Sequence, residues 1–333
     1  MGATQEQKPT KIKSTALSES LSRLGKLIET DAAPVEEVPL RKPPQNDRQL
    51  DFFVPPLHDI PVKDGVGIMD VAVFRLSKKQ PRKGELIRYE LTDAVIEVSS
   101  GAHGMASIYD YDIVLMVISQ LAHAVKMNRL GQGEKPGKQY RIHSSDIFKF
   151  CRLSDGGKQY QILDAALKRL QGTFITITSE NNKKSARRTG YFPLLGGAKV
   201  VSRTDTGRIG RLEITIPDWI YEAVEQHDDP EVLTVNPDYF LLNKGIARFI
   251  YRLARKAAGR SDATYAFRSI YMRSGSTREF RKFAHELRRL IKANTLPDYH
   301  LAETKGKDGP MLVINNRHFL EKQDEAPKAA TAE

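Results

Sequence analysis

Two stretches of the chain show the same order of predicted elements, three helices followed by a pair of strands. Apolar residues recur at helical spacing in each helical segment, and apolar and polar residues alternate in each strand pair. The predicted helices are Tyr109–Leu130, His143–Cys151 and Lys158–Gln171, and then Asn243–Ala258, Phe267–Met272 and Ser276–Ala293. The strand pairs are Thr173–Ser179 with Gly190–Leu195, and Tyr299–Glu303 with Met311–Ile314. This order indicates two copies of one unit.

Three helices followed by a two-stranded hairpin, the wing, form the winged variant of the helix-turn-helix, whose third helix enters the major groove of DNA. The predicted fold class is therefore α+β, with two tandem winged-helix domains. The first also includes an N-terminal antiparallel sheet, predicted from alternating runs at Val71–Leu76, Leu86–Leu91 and Ala94–Ser99. The predicted segments are a disordered, flexible N-terminal arm at 1–50, the first winged-helix domain at 51–230, the second at 231–320 and a disordered tail at 321–333.

The composition excludes several classes of protein and indicates a polyanionic partner. Fifty-two Lys and Arg residues face forty-one Asp and Glu residues, which gives a net charge of +11. No stretch is as long and apolar as a membrane-spanning helix, and the N-terminus has no apolar signal segment, so a cytoplasmic protein associated with nucleoid or plasmid is expected. Cys151 is the single cysteine, which excludes an internal disulfide and a Cys-rich zinc site. No metal or cofactor is expected.

Most of the positive charge belongs to the second unit. Between Phe240 and His300 there are fourteen basic and four acidic residues, a surplus of ten. In the third helix of this unit, an apolar stripe faces a basic side on which no acid is expected, because Glu279 and Glu286 fall toward its edge. A solvated helix face is the alternative interpretation. The DNA-contacting residues predicted here are Arg278, Arg281, Lys282, His285, Arg288, Arg289 and Lys292.

Three further groups of residues are predicted to contact DNA. The third helix of the first unit presents its polar side to the groove, the basic turn after it is interpreted as a wing, and the first helix of the second unit contacts phosphates. These groups are Lys158, Gln161, Lys168 and Arg169 on the third helix, Lys183, Lys184, Arg187 and Arg188 in the turn, and Arg248, Arg252 and Arg255 on the first helix of the second unit.

Several short motifs in a fixed order resemble the replication initiator protein A family of bacterial plasmids. They extend from about Phe52 to Arg317, and Ala257-Ala258-Gly259 departs from the family pattern of His-Cys-Gly at a helix end. The matching motifs are Ile108–Ile113, Gly156–Thr173, Tyr239–Leu242, Leu253–Lys256, Ser274–Ser276 and Leu296–Tyr299. The resemblance implies a winged-helix initiator that binds directly repeated sites, called iterons, in a plasmid origin. In that wider group, monomers open the origin and recruit the host initiator protein and the replicative helicase, whereas dimers repress the initiator's own gene.

The predicted function is therefore sequence-specific binding of double-stranded origin DNA, followed by origin opening, recruitment of the host initiator and helicase, and control of copy number through autorepression by a homodimer. The first domain is expected to supply the dimer surface and the second most of the DNA affinity. No membrane partner is expected.

Two alternatives are left open. A transcriptional repressor with the same winged-helix fold fits the same residues. A tyrosine-type DNA strand transferase is suggested by His285, Arg288 and Tyr299, which match a His-x-x-Arg element with a following Tyr nucleophile. The upstream Arg motif of that class has no counterpart in this sequence, so the protein is expected to be a DNA-binding protein with no catalytic residue.

Overall fold

The structure is a computed structural model that describes residues 52–54, 71–79, 81–90, 94–181, 186–225, 233–258 and 262–318. It mixes helices and antiparallel sheets. The strands are β1 (Phe52–Val54), β2 (Leu86–Glu90), β3 (Ala94–Ser100), β4 (Gln139–His143), β5 (Thr173–Asn181), β6 (Ala186–Pro193), β7 (Gly197–Arg203), β8 (Ile209–Thr215), β9 (Leu233–Val235), β10 (Asp262–Ala266), β11 (Tyr299–Gly306) and β12 (Gly309–Asn316). The helices are α1 (Tyr111–Arg129), α2 (Ser144–Phe150), α3 (Gly157–Gln171), α4 (Asp218–Glu225), α5 (Gly245–Ala257), α6 (Phe267–Arg273) and α7 (Phe280–Ala293), with a 3-10 helix at Pro237–Leu241.

The six predicted helices of the two units are confirmed, with ends that shift by a few residues. The largest shift is in α7, which begins at Phe280, because Ser276 and Arg278 lie in the turn before it, where the Arg278 amide donates to Ser276 Oγ. At its other end Asn294 adopts a left-handed conformation with φ of +48°, a usual helix stop. No described helix is long and apolar enough to cross a bilayer.

Two three-stranded sheets have the same strand order. In the first sheet β8 lies between β4 and β7, and in the second β12 lies between β10 and β11, with all neighbours antiparallel. Each sheet begins with a strand that leads into a short helix, then a long helix, and ends with a hairpin. The prediction omits β4, β7 and β10. The prediction also matches β5–β6 of the first unit with β11–β12 of the second. In the structure the hairpin that corresponds to β11–β12 is β7–β8, because these two hairpins hold the same places in the two three-stranded sheets.

The β5–β6 hairpin belongs to a different, four-stranded sheet of order β2-β3-β5-β6. Side chains alternate across this sheet, so that Ile96, Val98 and Ile175 are buried on one face. On the other face Leu86, Phe174 and Tyr191 are 53%, 44% and 74% exposed.

Val71–Leu76 does not form the third strand of the N-terminal sheet, so that part of the prediction was wrong. Val71 to Phe74 are all buried, so their side chains do not alternate between a buried and an exposed face as they would in the predicted strand. The Ala72 amide donates to the Arg273 carbonyl, and the Tyr89 hydroxyl donates to the Ala72 carbonyl. The segment therefore lies between β2 and the end of α6 and ties the two halves of the fold together.

The arm at 1–50 and the tail at 321–333 lie outside the described residues, as do Lys183 and Lys184.

Candidate nucleic-acid interface

Helix α7 presents a basic face to solvent. Its apolar side chains Phe283, Leu287 and Leu290 are buried, because they pack into the core of the second unit. The opposite side is exposed, as the helical periodicity predicts. The exposed basic residues on or just before this helix are Arg278, Arg281, Lys282, His285, Arg288, Arg289 and Lys292.

Three of these cations are held by carboxylates, so the prediction that this face lacks acids needs correction. Arg278 Nη1 lies 2.6 Å from a Glu286 carboxylate oxygen, and Lys282 pairs with Glu279. Arg288 binds Glu303 of β11 through Nε and Nη2 at 3.0 and 2.9 Å, and these hydrogen bonds raise the pKa of Arg288. Pairs this exposed contribute about 0–1 kcal/mol each, so a phosphate group can replace the carboxylate.

The other four basic residues of α7 make no ion pair with any residue that the structure describes. Arg281, His285, Arg289 and Lys292 are all exposed. Arg281, His285 and Arg289 line a concave groove of about 660 Å³. The rest of the lining is Lys244, Ile246, Arg278, Glu279, Lys282, Glu286 and Leu290. A groove with more basic than acidic groups raises the local concentration of anions, so it suits a phosphate backbone.

Helix α3 offers a smaller polar face. Leu163, Leu167 and Leu170 are buried, whereas Lys158 and Gln161 are exposed near its N-terminus. Lys168 is also exposed, and its ammonium lies 2.6 Å from Asp164.

Arg169 is not on the polar face of α3. It binds Asp110 with Nε and Nη2, both at 2.8 Å, and its side chain is 17% exposed. The hydrogen bonds to Asp110 raise the pKa of Arg169, and burial opposes this effect. The arginine fixes the end of α3 to the start of α1, so its prediction as a DNA contact is contradicted.

Arg248 is the clearest contradiction among the predicted site residues, because it is 1% exposed. Nη1 binds both carboxylate oxygens of Asp112 at 2.8 and 2.6 Å, while Nε and Nη2 donate to the carbonyls of Leu242 and Phe240. Burial alone would lower the pKa of Arg248, but attraction to Asp112, the hydrogen bonds to Asp112 and the nearby tyrosine hydroxyls together outweigh burial, so the net pKa is raised. A phosphate cannot reach this side chain.

Arg252 and Arg255 also face the interior. The Arg252 guanidinium lies 4.9 Å from the Phe74 ring and 5.0 Å from the Tyr111 ring, and Arg255 Nη1 donates to the Tyr299 hydroxyl at 3.3 Å. The helical periodicity predicted for α5 is correct, but other parts of the fold pack on its basic side as well as on its apolar side. Asp110 and Asp112, two acids directly before the six apolar residues Ile113–Ile118, were the sequence signal for buried basic partners.

The predicted wing is only partly described. Lys183 and Lys184 lie outside the described residues, and the backbones of Arg187 and Arg188 pair with Glu180 and Ser179 across β5–β6.

A second hairpin, β7–β8, lies beside α3 and is missing from the prediction. Its turn presents Arg203 and Arg208 to solvent. Both side chains line a groove of about 480 Å³ together with Gly157 and Gln161 of α3. The sequence signal was the Thr204–Gly207 turn between two alternating runs.

Within the described residues, no group of three or more His, Cys, Asp or Glu side chains is placed to hold a metal ion.

Comparison with known proteins identifies relatives in sequence and in fold. A "Putative replication protein" of Wigglesworthia glossinidia brevipalpis is 32% identical over 225 residues, which cover 66% of this chain and 78% of the relative. A crystal structure of selenomethionine derivatives of domains 2 and 3 of RctB superposes with a TM-score of 0.53 at 15% identity, covering 74% of this chain and 96% of that one. A second structure of RctB domains 2–3 has a TM-score of 0.52 at 14% identity, covering 78% and 99%.

The RctB structures show that the fold is shared, and at 14–15% sequence identity they show the fold alone. The family model for replication initiator protein A matches residues 63–301. That match spans well over half of the sequence, so the chain belongs to the replication initiator protein A family.

Proposed function

We propose that this chain initiates plasmid replication by binding iterons in the origin as a sequence-specific reader of double-stranded DNA. The observation that carries the proposal is the basic groove on α7, where Arg281, His285 and Arg289 are exposed and unpaired among the described residues. Membership of a replication initiator family supports the same role. Opening of the origin and recruitment of the host initiator protein and replicative helicase follow from the bound state.

Each half of the described fold supplies one DNA-reading helix in this proposal. The elements β4, α2, α3, β7 and β8 would form one winged helix, and β10, α6, α7, β11 and β12 the other. Two such units can address major grooves one helical turn apart, about 34 Å, so one chain could read a repeat without internal symmetry. Arginine side chains would read guanines, each good bidentate pair contributing about 1–3 kcal/mol of discrimination.

A homodimer would use the outer face of the four-stranded sheet. Leu86 and Phe174 both pair with Ser99 of β3 and so share one row across the sheet, and Tyr191 lies in the next row. Exposed apolar patches of this kind mark protein interfaces. Dimers formed here would repress the chain's own gene.

Binding to DNA is tested with the duplex that the full-length chain selects from a randomised pool, called the selected duplex below. The double substitution Arg281→Ala/Arg289→Ala removes two phosphate-binding cations, so the slope of log affinity against log salt falls by about 2 and affinity falls roughly tenfold or more. Lys126→Ala/Lys135→Ala removes two exposed cations beyond both grooves and serves as the matched control. Fluorescence anisotropy that gives equal affinities for both variants and wild type would contradict the proposal.

The repressor alternative predicts the same binding but no initiation. The discriminating experiment supplies the gene in trans to a plasmid that carries only the origin. Stable maintenance supports an initiator, whereas loss of the plasmid despite intact DNA binding supports a repressor.

We also propose that the chain performs no covalent chemistry on DNA. Tyr299, the nucleophile of the strand-transferase alternative, is 0% exposed and packs 5.8 Å from the Tyr251 ring. Burial raises the pKa of the Tyr299 hydroxyl, which makes it a poorer nucleophile. Incubation with supercoiled origin plasmid should therefore give neither nicks nor a covalent tyrosyl-DNA adduct, and either product would restore the alternative.

A further inference from the structure

We infer that the β7–β8 hairpin is the wing of the first unit and binds the DNA backbone beside α3. This inference rests on the proposed DNA-binding function and assigns the surface that works with α3. Each three-stranded sheet contains one hairpin, and the second strand of that hairpin pairs with the strand before the short helix: Ile142 pairs with Leu212 in one sheet, and Ala263 with Ile314 in the other. The two hairpins therefore stand in the same relation to α3 and α7.

The two hairpin turns also carry the same kind of charge. The β7–β8 turn presents Arg203 and Arg208 with one acid, Asp205, between them. The β11–β12 turn presents Lys305 and Lys307, again with one acid, Asp308. All six side chains are exposed, so each turn offers two cations to a neighbouring polyanion.

The β7–β8 turn is held in one conformation by its own hydrogen bonds. The Thr204 amide donates to the Arg208 carbonyl and the Gly207 amide donates to the Thr204 carbonyl, both at 2.8 Å. Gly207 has φ of +75°, which a residue with a side chain rarely adopts. Arg203 Nη1 donates to the Gly207 carbonyl at 3.0 Å. A preorganised turn loses little conformational entropy when it binds a ligand.

The position of Arg208 links the hairpin to α3. A Cβ placed on Gly157, the first residue of α3, would lie 3.4 Å from Arg208 Nη2. The Arg208 guanidinium also lies 5.5 Å from the Tyr160 ring. Arg203 and Arg208 face the same groove as Gln161, so a duplex that places a base edge near Gln161 would bring a phosphate toward the hairpin. The partner that fits is the backbone of duplex DNA.

The test sets the two hairpins of the first unit against each other with equal losses of charge. Arg203→Ala/Arg208→Ala should lower affinity for the selected duplex roughly tenfold or more and reduce its salt slope by about 2. Lys183→Ala/Lys184→Ala, at positions between β5 and β6 in the sequence, should leave both values near wild type. The reverse result would overturn the inference and restore β5–β6 as the wing. Thermal melting of each variant confirms that it is folded.

A second measurement works even if the double variant does not fold. The native Cys151 is buried, so Thr206→Cys gives a single accessible thiol to which an iron-EDTA cleavage reagent can be attached. Cuts within the selected duplex are expected from Thr206→Cys and not from Ser185→Cys. Absence of cuts from Thr206→Cys while wild type binds would sink the wing assignment alone. Failure of the wild-type chain to bind any duplex would instead sink the proposed function.

Discussion

Arg248 shows how a single buried charge can organise this fold. Its guanidinium binds Asp112 of α1 and is buried from solvent. It lies 4.5 Å from the Tyr109 ring and 4.9 Å from the Tyr239 ring. Its three nitrogens all donate hydrogen bonds. A buried ion pair of this kind can be close to neutral as a whole, but removal of one partner leaves an uncompensated charge inside the protein.

Loss of Arg248 should therefore destabilise the fold instead of weakening DNA contacts directly. We expect Arg248→Ala to lower the free energy of unfolding by about 3–5 kcal/mol, measured by urea denaturation. Arg288→Ala, which breaks the exposed pair with Glu303, should cost about 0–1 kcal/mol and serves as the control. Equal small losses in the two variants would contradict the structural role of Arg248.

The sequence predicts which side chains are exposed more accurately for α7 than for α5, and the reason is physical. Helical periodicity identifies the side opposite an apolar stripe, and in α7 that side faces solvent. In α5 the same side meets α1, so Arg248 is buried. Periodicity describes one helix and carries no information about what packs on its polar side.

Among the elements, the predicted helices are correct because their apolar residues recur at helical spacing, over about two turns in α2 and α6 and over three or more turns in the longer helices. The omitted strands β4, β7 and β10 contain at most one buried residue each, so apolar and polar residues alternate only weakly along them. The sequence favours β5–β6 as the hairpin of the first unit because it follows α3 directly in the chain. Pairing of β5 with β3 places it in another sheet, and only long-range strand pairing decides this.

The start of α5 depends on a close backbone contact. A Cβ on Gly245 would lie 2.1 Å from the Leu76 carbonyl oxygen. Gly245→Ala gains about 1 kcal/mol of helix propensity at most, but the overlap with backbone costs about 1–3 kcal/mol, so net destabilisation is expected.

Gly157→Ala is the matched control for that substitution, because Gly157 is the first residue of α3 and meets only the flexible Arg208 side chain. Its urea midpoint should stay near wild type. A Gly245→Ala variant as stable as wild type would contradict the expected overlap with the Leu76 carbonyl.

At the scale of the whole molecule, the outer sheet face should control the oligomeric state. Phe174→Ser/Tyr191→Ser removes apolar contacts twice in a symmetric dimer, so the dimer dissociation constant should rise at least tenfold in analytical ultracentrifugation. Leu130→Ser removes a similarly exposed apolar side chain at the end of α1 and should leave the dimer dissociation constant unchanged. Dimers that persist in the double variant would place the interface elsewhere.

The two halves of the described fold are tied together at several points, which fixes α3 relative to α7. Arg82 Nη1 donates to the Gly275 carbonyl at 3.0 Å, Arg152 pairs with Asp238 at 2.6 Å, and Asp112 pairs with Arg248. A rigid spacing of this kind is what a monomeric reader of two grooves requires, because a flexible one would lose binding free energy to conformational entropy.

We propose that one chain reads two major-groove segments, one through α3 and the other through α7. Protection of guanine N7 from methylation is measured on the selected duplex with a single chain bound. Two protected segments about one helical turn apart are expected, one lost in Lys158→Ala/Gln161→Ala and the other in Arg281→Ala/Arg289→Ala. A single protected segment, or loss of the same segment in both variants, would contradict it.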